Sequence, residues 1–292
     1  MLDSIVTRRG LLGAVAVSLT GLHAAPRVSK LKFGLTSYEW GKDWDIPTFI
    51  ANCTRAKAYG VELRTSAKYA HGLELDTPPE KRNEAKRRFA DSPVKLISIA
   101  SAERFDSPDP EKLRAAIEKA KAHVLLSRDV GSTGVRVFPN DFHKEVPQEQ
   151  TVAQIAKALN EVGKFAEEHG QKIRLENHGS AGRLTDVAKI LAQVDSKAIG
   201  VKLNGDVRDV IDGQFAPSFG QVKNRLGETL HFRMYGGSDF PYQQQWDLLV
   251  DAGWEGWCFV EESVQVPDRV QALIEERQQW ESMIAKSLAR KA

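Results

Sequence analysis

The chain has 292 residues, 41% hydrophobic and 27% charged, with a formal net charge of +2. That length suits one large α/β domain, and the near-neutral balance gives no electrostatic case for a nucleic-acid partner. Two cysteines, Cys53 and Cys258, with no Cys-x-x-Cys spacing, indicate neither a zinc knuckle nor a disulfide scaffold.

At the amino terminus, Thr7-Arg8-Arg9-Gly10-Leu11-Leu12 sets paired arginines ahead of an uncharged run from Gly10 to Leu22. That run is too short to span a bilayer but suits the core of a signal peptide, and Leu22-His23-Ala24-Ala25-Pro26 offers a cleavage site. The segment resembles a twin-arginine export signal. The plainer reading, a buried amino-terminal helix, fits less well, because the run carries no polar periodicity. Residues 1–25 are therefore expected to be a signal peptide and residues 30–292 one domain, which would place the mature protein in the periplasm or otherwise outside the cytoplasm, with no stable membrane anchor after cleavage. Loss of residues 1–24 lowers the formal charge from +2 to +1. Both cysteines suit small buried hydrophobic positions. A disulfide between them after export stays open, since Cys258 faces outward on its strand.

From residue 31 onward, strand-like and helical segments alternate eight times, the pattern of a (β/α)8 TIM barrel. The first strand is Leu31 to Thr36, followed by an aromatic loop with Tyr38, Trp40 and Trp44. Its helix is expected over Pro47 to Tyr59, with Asp45 as N-cap and Gly60 as the stop. Strand two is Val61 to Arg64, and its helix begins near Pro78 and Pro79. Strand three, Val94 to Ala100, leads to a helix ending near Arg128. Strand four is Gly134 to Phe138, its loop carries Asn140, Asp141 and His143, and its helix, Gln148 to Glu168, has an apolar stripe at helical spacing. Strand five begins at Lys172, after Gly170, and ends in Glu176-Asn177-His178-Gly179. A helix starts near Leu184. Strand six is Ile199 to Asn204, strand seven Leu230 to Tyr235, and strand eight Gly256 to Glu261. Helices over Gln243 to Ala252 and Pro267 to Ala289 complete the ring.

Side chains alternate across a strand, so if Glu176 points into the barrel, Arg174 does too. The same parity puts Glu62, Arg64, Ser98, Arg136, Lys202, Asn204, His231, Arg233 and Glu261 inside, with apolar neighbours such as Val61, Leu63, Val201, Phe232 and Val260 outside. An interior this polar costs on the order of several kcal/mol per unpaired charge unless it is paired or used. The plain alternative is an interior ion-pair network, Glu62 with Arg64 or Glu176 with Lys202. His178 suits a loop or supporting position, His143 the rim, and His123 and His169 helix faces or ends. Tyr38, Trp40 and Trp44 either pack or stack against a sugar ring.

With these residues in view, residues 31–292 resemble the xylose-isomerase-like barrels of sugar-phosphate isomerases and epimerases. The resemblance rests on Leu-Glu-Asn-His at 175–178, Leu-His-Phe-Arg at 230–233, Gly-Trp-Cys-Phe-Val-Glu at 256–261 and Gly-Val-Glu-Leu at 60–63. It implies a divalent cation (Mn, Mg, Co or Zn) held by Glu176, the strand-six position Asn204, His231 and Glu261. The chain departs from the pattern in having Asn204 where the family has Asp, and Met234 where an Asp follows the strand-seven base. Asp206 would substitute only if the strand end bends. Arg174 and Lys202, one layer below, either repel a metal or pair with Glu176 and Glu261 in its place.

The function expected is that of an exported isomerase or epimerase of a free or glycosidic sugar. Glu176 and Glu261 form the acid/base pair, and Arg64, Arg136, Lys202, Arg233, Trp40 and His178 are substrate contacts. The partner is a small carbohydrate, and homo-oligomerisation stays open. A keto-sugar lyase on the same site and a catalytically silent carbohydrate-binding barrel are the rivals. An endonuclease would need a multi-zinc ligand set and a basic surface that the sequence does not offer.

Overall fold

The computed structural model describes residues 28–290, so the expected signal peptide lies outside the described residues. Eight parallel strands close into a barrel in chain order: β1 (Lys30–Thr36), β2 (Gly60–Arg64), β3 (Lys95–Arg104), β4 (Gly134–Phe138), β5 (Lys172–Glu176), β6 (Ile199–Asn204), β7 (Leu226–Phe232) and β8 (Glu255–Val260). The ring of helices is α1 (Ile46–Ala56), α2 (Pro79–Ala90), α3 (Pro110–Asp129), α4 (Gln148–Glu168), α5 (Leu184–Leu191), α6 (Ala216–Val222), α7 (Tyr242–Asp251) and α8 (Arg269–Ala289). No helix among the described residues is long and apolar enough to cross a membrane.

Capping chemistry sets several helix starts. Asp45 accepts from the Thr48 N–H, Asp109 from those of Glu111 and Lys112, and Asp268 from those of Val270 and Gln271. Gly60 does not stop α1; Lys57, in the left-handed region at φ 57°, caps it. Gly60 opens β2, where a Cβ would lie 2.1 Å from the Trp257 ring, so glycine is what lets that indole pack there.

The strands' outward residues, Val61, Leu63, Val135, Val137, Val201, Leu203 and Val260, are buried against the helices. Phe232 is fully buried, edge-on to Trp246 at 5.3 Å and to Phe33 at 6.0 Å. Truncating such a ring to alanine costs about 3–5 kcal/mol. Cys53 and Cys258 are free and buried, with Cys258 beside Trp280 of α8.

Two strands differ from the expected spans by more than one residue. A register shift between Ala100 and Arg104 carries β3 on to the mouth of the barrel. β7 starts earlier than its sequence suggests, and it ends earlier because the N–H groups of Met234 and Tyr235 donate to Glu276 and Glu262 side chains at 2.9 Å each, not to a neighbouring strand.

Candidate active site

Register places the polar interior in two layers. Glu176 is paired with Lys202, and Asn204 with His231, across neighbouring strands. In the lower layer Lys202 Nζ donates to both Glu62 oxygens, at 2.6 and 2.7 Å, and none of these groups reaches solvent. His231 Nε2 meets the same carboxylate at 2.5 Å and Lys202 Nζ at 2.7 Å. Burial pushes the Glu62 carboxyl up, but Lys202, His231 and Arg136 outweigh it and hold the group well below the usual carboxylate range. Burial lowers Lys202 from the ordinary lysine value, against Glu62 and Glu176.

With Nε2 engaged below, His231 turns Nδ1 upward. It lies 3.3 Å from Glu176 Oε2 and 3.2 Å from Glu261 Oε1. Lys202 Nζ at 3.5 Å and Arg136 Nη1 at 3.6 Å also face Glu176 Oε2. Neither that oxygen nor His231 Nδ1 has a hydrogen-bond partner among the described residues, although both are buried. Burial lowers the imidazole pKa, but Glu261, Glu176 and Glu62 outweigh burial and Lys202 and raise it to about 10. Burial raises Glu176, yet His231, Arg136 and Lys202 take it well below the carboxylate range; His231 does the same, less strongly, for Glu261.

Above these groups opens a cavity of about 410 Å³ at the carboxyl ends of the strands, where barrels of this type place their chemistry. Glu176, Glu261, Arg64, Arg136, Arg233, Asn204 and His178 all line it. Arg136 lies over the Phe138 ring at 4.0 Å and Arg64 over Tyr38 at 4.9 Å, so each guanidinium is held against a flat apolar face. Arg233 is exposed, 3.1 Å from Asn204 Oδ1 and 3.7 Å from Glu261. His178 packs on Phe138 at 4.8 Å.

Several expectations are corrected. Trp40 is 1% exposed and its indole donates to the Val264 carbonyl at 2.8 Å, so it packs the loop and offers no face to a sugar; Tyr38 reaches the cavity instead. Lys202 is sealed beneath the cavity and does not touch its space. Glu62 pairs with Lys202, not with Arg64. Arg174 turns away from the ligand candidates, donating to the Ile97 carbonyl and Thr133 Oγ1. Asp206 is held by Arg208 and caps the turn that follows β6, so it does not replace a strand-six ligand. Arg104 and Asn140 line the cavity without having been singled out as contacts; the strand-end bulge that brings Arg104 there has no signal in the sequence.

Glu176, His231 and Glu261 offer donor atoms all within 4.8 Å of one another. The orphaned Glu176 Oε2 and His231 Nδ1, with two carboxylates and one imidazole in the set, fit a divalent cation as three protein ligands. Asn204 is not a fourth. Its Nδ2 donates to Glu176 Oε1 at 3.1 Å while its Oδ1 is taken by Arg233, so it presents a donor where a cation needs an acceptor.

The family described as "Xylose isomerase-like TIM barrel" matches residues 50–205. The chain belongs to that family. No curated protein matches the sequence. Among solved structures, this family member is similar to 3-keto-D-glucoside 4-epimerase YcjR from E. coli, at 12% identity over 87% of this chain and 100% of that one, with a TM-score of 0.70. It is similar to an L-ribulose 3-epimerase at 15% identity over 88% and 95% of the two chains, with a TM-score of 0.73. The IolI protein with a bound zinc atom matches at 16% identity over 89% and 100%, with a TM-score of 0.73. At these identities the likeness is one of fold.

Proposed function

We propose that this chain is a sugar isomerase or epimerase that moves a proton beside a carbonyl, with Glu176 and Glu261 as the two acid/base groups. The observation that carries this reading is the convergence of both carboxylates on His231 Nδ1, at 3.3 and 3.2 Å, on the floor of a cavity lined by arginines. The depressed pKa of Glu176 leaves it ionised at neutral pH and able to take the proton. Glu261 returns a proton to the opposite face or to the neighbouring carbon. His231 stands between them and closes the cycle, giving its Nδ1 proton to Glu261 and recovering one from Glu176. Arg64, Arg136 and Arg233 orient the hydroxyls and offset the charge that develops on the enediolate oxygen.

A divalent ion on Glu176, His231 and Glu261 would supply Lewis-acid polarisation of the carbonyl. It would take the Nδ1 position that otherwise carries the proton.

The experiment is proton exchange. A panel of ketohexoses, aldohexoses and keto-glycosides is incubated with the protein in D2O, with and without Mn, Mg, Co or Zn, and followed by NMR. Deuterium should enter beside the carbonyl of one of them, and Glu176→Gln and Glu261→Gln should each abolish this. If no sugar exchanges under any condition, the isomerase reading fails. A keto-sugar lyase starts with the same proton removal and would reveal itself by an unsaturated product. A carbohydrate-binding barrel without turnover is the second reading, favoured by the Asn204 amide that donates to Glu176; tight sugar binding with no exchange would select it.

A further inference from the structure

Beside the mouth lies a second, larger cleft of about 660 Å³, walled by β3, the loop after it, α3 and the loop after β4. Ala102, Arg104 and Asn140 line both this cleft and the mouth, so the two spaces meet along one shared wall. Neither the acid/base pair nor the three-ligand set uses this space.

The wall carries a built polar cluster. Asp106, 6% exposed, accepts through Oδ2 from Asn140 Nδ2 at 3.3 Å, from the Asp141 N–H at 3.3 Å and from His143 Nε2 at 3.0 Å. Its other oxygen, Oδ1, has no hydrogen-bond partner among the described residues. A buried carboxylate oxygen left without a donor is unusual and gives the cluster spare acceptor capacity. The wall is also fixed in place. Asn140 holds φ at 70°, and Gly179 presses on its carbonyl so closely that a Cβ there would lie 1.9 Å from the oxygen. Asp141 ties the same loop to the Ser180 N–H at 2.8 Å.

The charge of the cleft narrows the ligand. Arg104, Lys112 and Lys119 face Glu103, Asp106 and Asp141, an even balance of donors and acceptors. Phosphate would call for a surplus of cations. A neutral group rich in hydroxyls, each able to donate to a carboxylate and accept from a cation, matches both halves of that set.

We infer that this cleft is a subsite for the second unit of a disaccharide-sized glycoside whose reacting ring occupies the mouth. The inference rests on the sugar reading of the mouth and makes it more specific: the substrate is a glycoside, and the residues around Asp106 select for its non-reacting unit.

The test compares monosaccharides with disaccharides built from them (glucose with maltose, cellobiose and trehalose; galactose with lactose), by calorimetry on the full chain. At least one disaccharide should bind tenfold or more tighter than its monosaccharide. Ala115→Trp, at an exposed position on α3 that lines the cleft, should reduce that ratio at least tenfold, and Asp106→Asn should reduce it in a protein whose melting curve shows it folded. Disaccharides that bind no tighter than monosaccharides, or a preference that survives both substitutions, overturn the subsite while leaving the sugar reading of the mouth intact. If neither class binds, the subsite falls, and the proton-exchange panel decides the sugar reading of the mouth separately.

Discussion

Lys202 Nζ reaches both oxygens of Glu62, at 2.6 and 2.7 Å, across the inside of the barrel and with neither group exposed. The pair links β6 to β2, and its lysine supports Glu176 only from 3.5 Å. Removing the lysine leaves the buried Glu62 carboxylate to His231 alone, and loss of one partner of a buried pair costs about 3–5 kcal/mol, whereas replacing both with apolar groups is often neutral. Lys202→Met should therefore lower stability by about that amount, and Lys202→Met with Glu62→Leu should recover most of it. Urea unfolding of the three proteins decides; a single variant no less stable than the double would contradict the pairing.

A second buried carboxylate pair governs the loop after β7. Glu276 Oε1 accepts from the Met234 N–H and Glu262 Oε1 from the Tyr235 N–H, and burial together with the neighbouring Glu262 pushes the Glu276 carboxyl well above its ordinary value. The folded protein thus keeps a proton on Glu276 that the unfolded chain releases above the usual carboxylate range. Stability is lost as pH rises from that range toward the folded pKa, and below it the group contributes nothing. Glu276→Gln keeps an acceptor for Met234 and removes the ionisation, so it should raise stability by about 1–3 kcal/mol at neutral pH and change little near pH 4. Thermal melts at the two pH values measure this, and an equal effect at both would refute it.

The same loop shows where the sequence could and could not be read. Period-two alternation identifies Glu62, Glu176, Lys202 and His231 as inward-facing, because the apolar partners on either side leave one parity only. It does not say which of them meet. Glu62 and Lys202 are 140 positions apart, and only closure of the barrel brings them together. The end of β7 was misplaced because Arg233-Met234-Tyr235 has a strand's composition, while the decision lies with two glutamates on distant elements that capture its N–H groups. Trp40 was open to two readings for a similar reason. A tryptophan in a first-turn loop looks the same whether it faces a ligand or donates to a carbonyl 224 residues away.

Export is a proposal carried by the amino-terminal sequence alone. Arg8 and Arg9 precede an uncharged run that ends near Ala24-Ala25, and a twin-arginine pathway reads the guanidinium pair and not charge as such. Replacing both arginines by lysine should hold the precursor in the cytoplasm at unchanged net charge. Fractionation of cells expressing both forms is the check; an equal periplasmic yield would rule out a twin-arginine signal.

Metal binding at Glu176, His231 and Glu261 must compete with a proton. The imidazole pKa is raised to about 10, chiefly because Glu261, Glu176 and Glu62 together outweigh the effect of burial, so His231 is protonated at neutral pH when no ion is bound. A cation that takes Nδ1 has to release that proton. Its affinity should then be weak at pH 6 and rise about tenfold per pH unit while one proton is displaced. Lys202 and Arg136, 3.5 and 3.6 Å from Glu176 Oε2, lower it further by adding positive charge beside the ligand. Asn204→Asp should tighten binding, because it replaces an amide that donates to Glu176 with a carboxylate that can face the ion. His231→Ala should abolish it. Calorimetric titration with Mn at several pH values follows all three effects. A stoichiometric ion retained through dialysis against chelator at pH 6, or an affinity independent of pH, would mean that the proton on His231 is not the competitor and that the shell is completed by a ligand other than these three.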